Sequence, residues 1–267
     1  MQQMTFWEHL DALRGTLIRM AVTLFGVMAV LFVAMPWIFD AVILWPCRAD
    51  FPFYRLLDSI SRTSGLLEDF VSVNDSIDLI NINLGSQLMV QMSTSVLLAL
   101  VLTFPVQVYL LWRFVAPGLY ERERRYAGRA FFAANTMFYL GVAMGYFMVF
   151  PLALRFLSQY QLSEAIENTI TLDSYIDNFM TISLLMGLVF ELPLLAWLLG
   201  RIGVLNRRFF GRYRRHAVVV LLVLAGFITP TADPFSMFAV FLPIYMLWEA
   251  AAWLVPAPAP AEGGGDI

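Results

Sequence analysis

Two sets of carboxylates in this chain occupy positions where chemistry is the natural question. Glu191 lies inside the apolar run Met180–Leu199. An acid at the centre of a membrane helix costs about 2.5–3.5 kcal/mol on insertion scales, so its presence there calls for a reason. Pro193 follows two residues later and has no N–H to offer the carbonyl of Val189. An acid and an unsatisfied backbone acceptor thus fall within about one turn of each other. One reading is a protonated acid bonded to a neighbouring helix for structure alone. The other is a polar pocket that meets a substrate, a partner helix or a proton.

The second set is Glu121 and Glu123, in a run of Trp112, Arg113, Phe114, Val115, Ala116, Pro117, Gly118, Leu119, Tyr120, Glu121, Arg122, Glu123, Arg124 and Arg125. The residue before a proline avoids helix, so the chain is expected to leave one helix at Pro117 and to start another near Glu121. Carboxylates placed there suit guanidinium recognition through short, often bidentate hydrogen bonds. They equally suit neutralisation of Arg122, Arg124 and Arg125. Near the N-terminus, Glu8, His9, Asp11 and Arg14 are expected on an interfacial amphipathic turn with Leu10, Leu13 and Leu17 on one face.

Other chemistries find little support. Cys47 is the single cysteine, and His9 and His216 have no zinc-like spacing. There is no Ser-His or Cys-His pairing, no His-Glu-x-x-His and no phosphate loop, so neither a metal nor a cofactor is expected.

The elements that must position these groups are membrane helices. At 60% hydrophobic and 14% charged residues, with a mean hydropathy of +0.72, the chain has too much apolar surface for a water-soluble domain of 267 residues. Six apolar segments run from about Leu17 to Pro36, Leu88 to Trp112, Phe131 to Phe156, Tyr175 to Leu199, Ala217 to Thr229 and Phe235 to Leu254. The first four reach the roughly 20 residues that a bilayer core demands. The fifth is short, and the sixth contains Pro243. Pro105, Pro151 and Pro193 also fall inside spans, so kinks are expected to bend the helices into a concave wall. Gly141 and Gly145 have the spacing of a close helix–helix approach.

All 17 cationic residues are arginine, and 13 of them fall on one side of this topology against Arg48, Arg55, Arg62 and Arg155 on the other. The positive-inside rule then puts both termini in the cytoplasm. The outer loop, about residues 37–86, is acidic and rich in aromatic residues and proline, which predicts a folded cap. Residues 1–254 read as one six-helix all-α domain, and 255–267 as a disordered cytoplasmic tail. No cleavable signal peptide is expected, because the first apolar run has the length of a span.

Four motifs in order on this topology resemble the TatC family, the multi-span core of the twin-arginine protein translocase. The leader His9-Leu10-Asp11-Ala12-Leu13-Arg14 is similar to the family's His-Leu-x-Glu-Leu-Arg. The loop with Trp112, Phe114, Pro117, Gly118, Leu119, Glu123, Arg124 and Arg125 matches its signature. Phe190, Glu191 and Pro193 match Phe-Glu-x-Pro in the fourth span, and Thr229–Ser236 looks like the outer turn between spans five and six. The resemblance implies a non-enzymatic receptor in the bacterial inner membrane for twin-arginine signal peptides of folded cargo. It implies single-span TatA/TatB-type partners, a homo-oligomeric complex and drive by the proton-motive force. Glu123 becomes the main carboxylate for the signal arginines, with Glu121, Phe114, Pro117, Leu119, Arg124, Arg125, Glu8, Asp11 and Arg14 around it. Glu191 and Gln107 form an intramembrane polar pocket, and Pro230, Asp233, Phe235 and Pro243 mark the docking place of a partner helix.

Two positions depart from the family pattern. Its second leader acid falls on Ala12, and Glu8, one turn earlier on the same face, or Asp11, is the candidate replacement. The glutamine that the family often carries in the second span falls on Leu110, with Gln107 three residues earlier. The alternative function is a proton-coupled solute transporter relaying through Glu191, Glu249 and Asp233, although no internal inverted repeat is evident.

Overall fold

The computed structural model describes residues 6–64, 77–116, 127–163, 168–201, 203–229 and 233–255. Helix α1 (Phe6–Ile38) has 33 residues, about 50 Å of helix against a bilayer core of about 30 Å. The leader, expected as an interfacial amphipathic turn, is thus helical and continuous with the first span. Nothing between Phe6 and Leu17 breaks a helix, so the chain extends it. A π turn (Phe39–Ile43) and a 3-10 turn (Trp45–Cys47) then lead to α2 (Pro52–Ser64), outside the first span.

The second span is α3 (Ser86–Val115), antiparallel to α1. Gln91 Nε2 donates to the Phe32 carbonyl at 2.8 Å, and Gln107 Nε2 donates to the Met20 carbonyl at 3.1 Å. Small residues are buried along α3, among them Thr94, Ser95, Ala99 and Thr103. Their hydroxyls are satisfied within the helix, Thr94 by the Val90 carbonyl at 2.6 Å and Thr103 by that of Ala99 at 2.7 Å.

The third span is α4 (Ala127–Met144), a π segment (Gly145–Val149) and α5 (Phe150–Gln159). Pro151 offers no N–H to the Phe147 carbonyl, and the widened turn just before it absorbs that loss. The fourth span is likewise split, into α6 (Leu172–Val189) and α7 (Leu192–Arg201). A short helix α8 (Arg207–Arg212), capped by Asn206 Oδ1 accepting from the Phe209 N–H, leads to α9 (Arg214–Ile228) and α10 (Pro234–Leu254). With 15 residues, α9 reaches only about 22 Å and is the short span expected. Pro105 and Pro243 sit inside α3 and α10, which continue through them.

At one end of the bundle, β1 (Leu79–Ile80) pairs in parallel with β2 (Ile170–Thr171), joining two loops in an otherwise helical fold. Tyrosines tie the same end together. Tyr175 O–H donates to the Ile43 carbonyl at 2.5 Å, Tyr146 O–H to that of Val42 at 2.7 Å, and Tyr54 O–H to that of Pro46 at 2.9 Å. Arg155, counted from the sequence among the four arginines of the outer side, is buried with its guanidinium 4.8 Å from the Tyr54 ring centroid. Asp173 accepts from Asn83 Nδ2 at 3.0 Å and from the Ser86 hydroxyl, fastening the start of α3 to α6.

Candidate functional site

At the opposite end, the leader and the first-loop motif meet. The His9 ring on α1 stacks on Phe114, near the end of α3, with centroids 4.6 Å apart and planes 29° from parallel. The antiparallel α1–α3 seam makes this contact: Met20 is held beside Gln107, and each helix then runs on to His9 and Phe114. Glu8, Asp11 and Arg14 are exposed on that end of α1. At 100° per residue, Glu8 stands about 40° from Ala12 and Asp11 about 100°, so Glu8 is the acid nearest in direction to the missing family carboxylate. Pro117, Leu119, Glu121, Glu123, Arg124 and Arg125 lie outside the described residues, as does Pro230.

Glu191 sits at the break in the fourth span. Phe190 N–H donates to the Met186 carbonyl at 3.0 Å, but Glu191 N–H turns to that of Leu188 at 3.1 Å, one residue short of α-helical register. With Pro193 withholding its N–H from Val189, the helix breaks and resumes at Leu192. Glu191 Oε1 is buried and has no hydrogen-bond partner among the described residues. That oxygen leaves the carboxyl with an acceptor open to a further donor.

The break is held in place by glycines. A Cβ on Gly141 would lie 2.5 Å from the Met186 carbonyl oxygen, 2.7 Å from Phe190 Cβ and 2.8 Å from Gly187 Cα. At Gly145 the nearest atom would be Ser183 Cα, at 3.1 Å. Gly187 receives the Phe138 ring, which stacks on Phe104 of α3 at 3.5 Å between centroids. The spacing of Gly141 and Gly145 is thus realised as close contact between α4 and α6, ending at Phe190. The share taken by Gly187 had no spacing signal of its own.

Gln107 Nε2 lies within hydrogen-bonding distance of three acceptors, the Met20 carbonyl and the hydroxyls of Thr23 and Thr103, while its Oε1 is buried without a partner among the described residues. None of those bonds reaches Glu191. Asn135 Oδ1 on α4 is a further buried acceptor without a donor among the described residues, and the sequence gives no sign of it because a lone Asn in a span carries no motif.

The other two acids proposed as relay groups have structural duties. Asp233 Oδ1 caps α10 by accepting from the Ser236 N–H at 2.7 Å. Glu249 forms a two-bond pair with Arg214, at 2.6 and 2.5 Å, joining α9 to α10. This arrangement removes the support that they lent to a transporter. Phe235 is the second residue of α10, after Pro234, and Pro243 is buried in the middle of the same helix. No group of three or more metal-ligating side chains occurs among the described residues.

Comparison with known proteins adds to this geometry. The family model described as Sec-independent protein translocase protein (TatC) matches residues 8–243. A Sec-independent protein translocase protein TatC of Blattabacterium is 29% identical over 253 residues, covering 94% of this chain and 95% of its own. A TatC of Deinococcus radiodurans is 35% identical over 173 residues, covering 65% of this chain and 64% of its own. Two crystal structures of the twin arginine translocase receptor TatC share the fold. One has a TM-score of 0.70 at 23% identity, covering 92% of this chain and 97% of its own. The other, determined in DDM, has a TM-score of 0.72 at 24% identity, covering 93% and 100%.

Proposed function

The chain belongs to the TatC family of Sec-independent protein translocase proteins, a non-enzymatic family, and from that premise we propose that it is a signal-peptide receptor of a bacterial inner membrane. In this reading both termini face the cytoplasm, in keeping with the arginine asymmetry. The observation that carries the proposal is the stacking of His9 on Phe114, which supports one recognition surface built from the leader and the first loop.

On that surface, Glu123 takes the paired guanidinium groups of a twin-arginine signal, assisted by Glu121 and Glu8. Phe114, Pro117 and Leu119 shape the ground on which the peptide lies, and Arg14, Arg124 and Arg125 orient its acidic and backbone acceptors. The apolar part of the signal then enters the bilayer beside the α6–α7 break. There Glu191, with Gln107 on the neighbouring wall, receives a donor from the arriving helix. Single-span TatA/TatB-type partners dock along α9 and α10, near Pro230, Asp233, Phe235 and Pro243. Folded cargo crosses an assembly of several copies, driven by the proton-motive force.

The test is deletion of the gene. Export of a folded, cofactor-loaded reporter with a twin-arginine signal is expected to stop, and wild-type chain is expected to restore it. Unimpaired export together with loss of solute uptake would overturn the proposal in favour of a transporter.

A further inference from the structure

Residues 201–216 carry six arginines and no acid. One of them, Arg214, is paired with Glu249 of α10. Among the described residues no carboxylate pairs with Arg207, Arg208 or Arg212, and all three are exposed. They are carried by α8, and α8 is firmly seated. Phe210 is 3% exposed, with its ring 4.8 Å from that of Trp248, in a cluster with Ala196 of α7 and Ala251 of α10. The helix therefore lies across the ends of α7 and α10 and holds its positive charge at a fixed level.

That level is the rim of the apolar band. The guanidinium of Arg207 lies 5.5 Å from the centroid of Trp253, which is 76% exposed in the last turn of α10 next to the exposed Leu254. Tryptophan at the end of a span marks the bilayer interface. An arginine lying over its ring has apolar chains on one side and headgroups on the other. A ligand fitting both sides carries a phosphate and an acyl chain.

We propose that Arg207, Arg208 and Arg212, with Trp253, form a binding site for an anionic phospholipid. The planar guanidinium groups bind the phosphate, and the Trp253 ring packs on the upper acyl chain. A zwitterionic lipid brings its own ammonium group into a cluster with no free acid among the described residues, and so is disfavoured. Free phosphate lacks the acyl contact. An acidic peptide would gain nothing from an indole facing lipid. The site uses none of the residues assigned to the signal peptide, and it does not depend on how a signal peptide is bound.

The experiment measures lipid affinity of the purified full chain, by titrating phosphatidylglycerol, phosphatidylcholine or inorganic phosphate and following thermal stabilisation and retained lipid by native mass spectrometry. Phosphatidylglycerol is expected to saturate and to remain bound, and the other two are not. Each arginine near an anionic surface contributes about a fivefold factor, so R207Q/R208Q/R212Q is expected to weaken phosphatidylglycerol on the order of a hundredfold. R55Q, in α2 at the far end, is expected to bind as wild type does. The triple lysine variant keeps charge and topology but loses planar recognition, and is expected to bind at least fivefold more weakly than wild type. Equal stabilisation by phosphatidylcholine or inorganic phosphate would overturn the proposal. So would wild-type retention of phosphatidylglycerol in either triple variant.

Discussion

Gly141→Ala is the substitution whose effect follows most directly from the packing around Glu191. The new Cβ would sit 2.5 Å from the Met186 carbonyl oxygen, 2.7 Å from Phe190 Cβ and 2.8 Å from Gly187 Cα. Comfortable separations for such pairs are about 3.5–4.0 Å. None of the three atoms lies at the end of a flexible side chain, so α4 and α6 must part by nearly an ångström. Overpacking of this kind costs about 1–3 kcal/mol, and the absence of a soft neighbour puts this case near the upper end. The better helix propensity of alanine returns about 1 kcal/mol. The net loss is about 2 kcal/mol, roughly a 30-fold change in the folded-to-unfolded ratio. At Gly187→Ala the three nearest atoms belong to the side chains of Val142 and Phe138, from 2.8 Å outward, and the change is expected to cost less. Gly26→Ala, with nothing within 4 Å, is expected to be neutral or slightly stabilising. Reversible unfolding of the purified variants in detergent measures the order. Should Gly141→Ala unfold like Gly26→Ala, the proposed role of the glycine contact in fixing the break at Phe190 and Glu191 is wrong.

Three further outcomes are expected. Glu191→Leu removes a buried oxygen without a partner, a liability of about 1–3 kcal/mol, so thermal stability in detergent is expected to hold or rise while export falls; a loss of both would make Glu191 structural. Tyr175→Phe strips the Ile43 carbonyl of its buried donor and is expected to destabilise the fold by about 1–3 kcal/mol, read by unfolding, whereas an unchanged midpoint would mean the bond contributes nothing. Glu8→Ala is expected to reduce crosslinking of a twin-arginine peptide several-fold, and Asp11→Ala less, because Glu8 stands closer to the direction of Ala12; the reverse order would assign the compensating role to Asp11.

What the sequence reveals and what it hides divide along physical lines. Span positions and the short fifth helix follow from hydrophobic runs, since length and composition decide whether a helix can cross a bilayer. The break at Glu191 is also legible, because Pro193 removes one particular hydrogen bond. Pro151 follows directly on a π segment while Pro105 and Pro243 sit within continuous helices, and the residue type alone does not separate these outcomes. Burial of Arg155 is hidden for another reason. Its partner Tyr54 is about a hundred residues away, and a tertiary cation–π contact leaves no local pattern. The same holds for His9 on Phe114, where the two motifs are visible separately and only the α1–α3 register joins them. Glu249 looks like a possible relay until the structure places Arg214 beside it.

The central claim is that a carboxylate on the first loop reads paired guanidinium groups. A photoreactive residue at Leu119, with Glu123 or Glu123→Gln in the same chain, lets crosslinking be compared for signal peptides bearing Arg-Arg and Lys-Lys. Bidentate pairing predicts that the change to lysine weakens crosslinking about tenfold when Glu123 is present and has little further effect once it is glutamine. Equal sensitivity to the lysine change in both chains would contradict recognition of the signal arginines by Glu123.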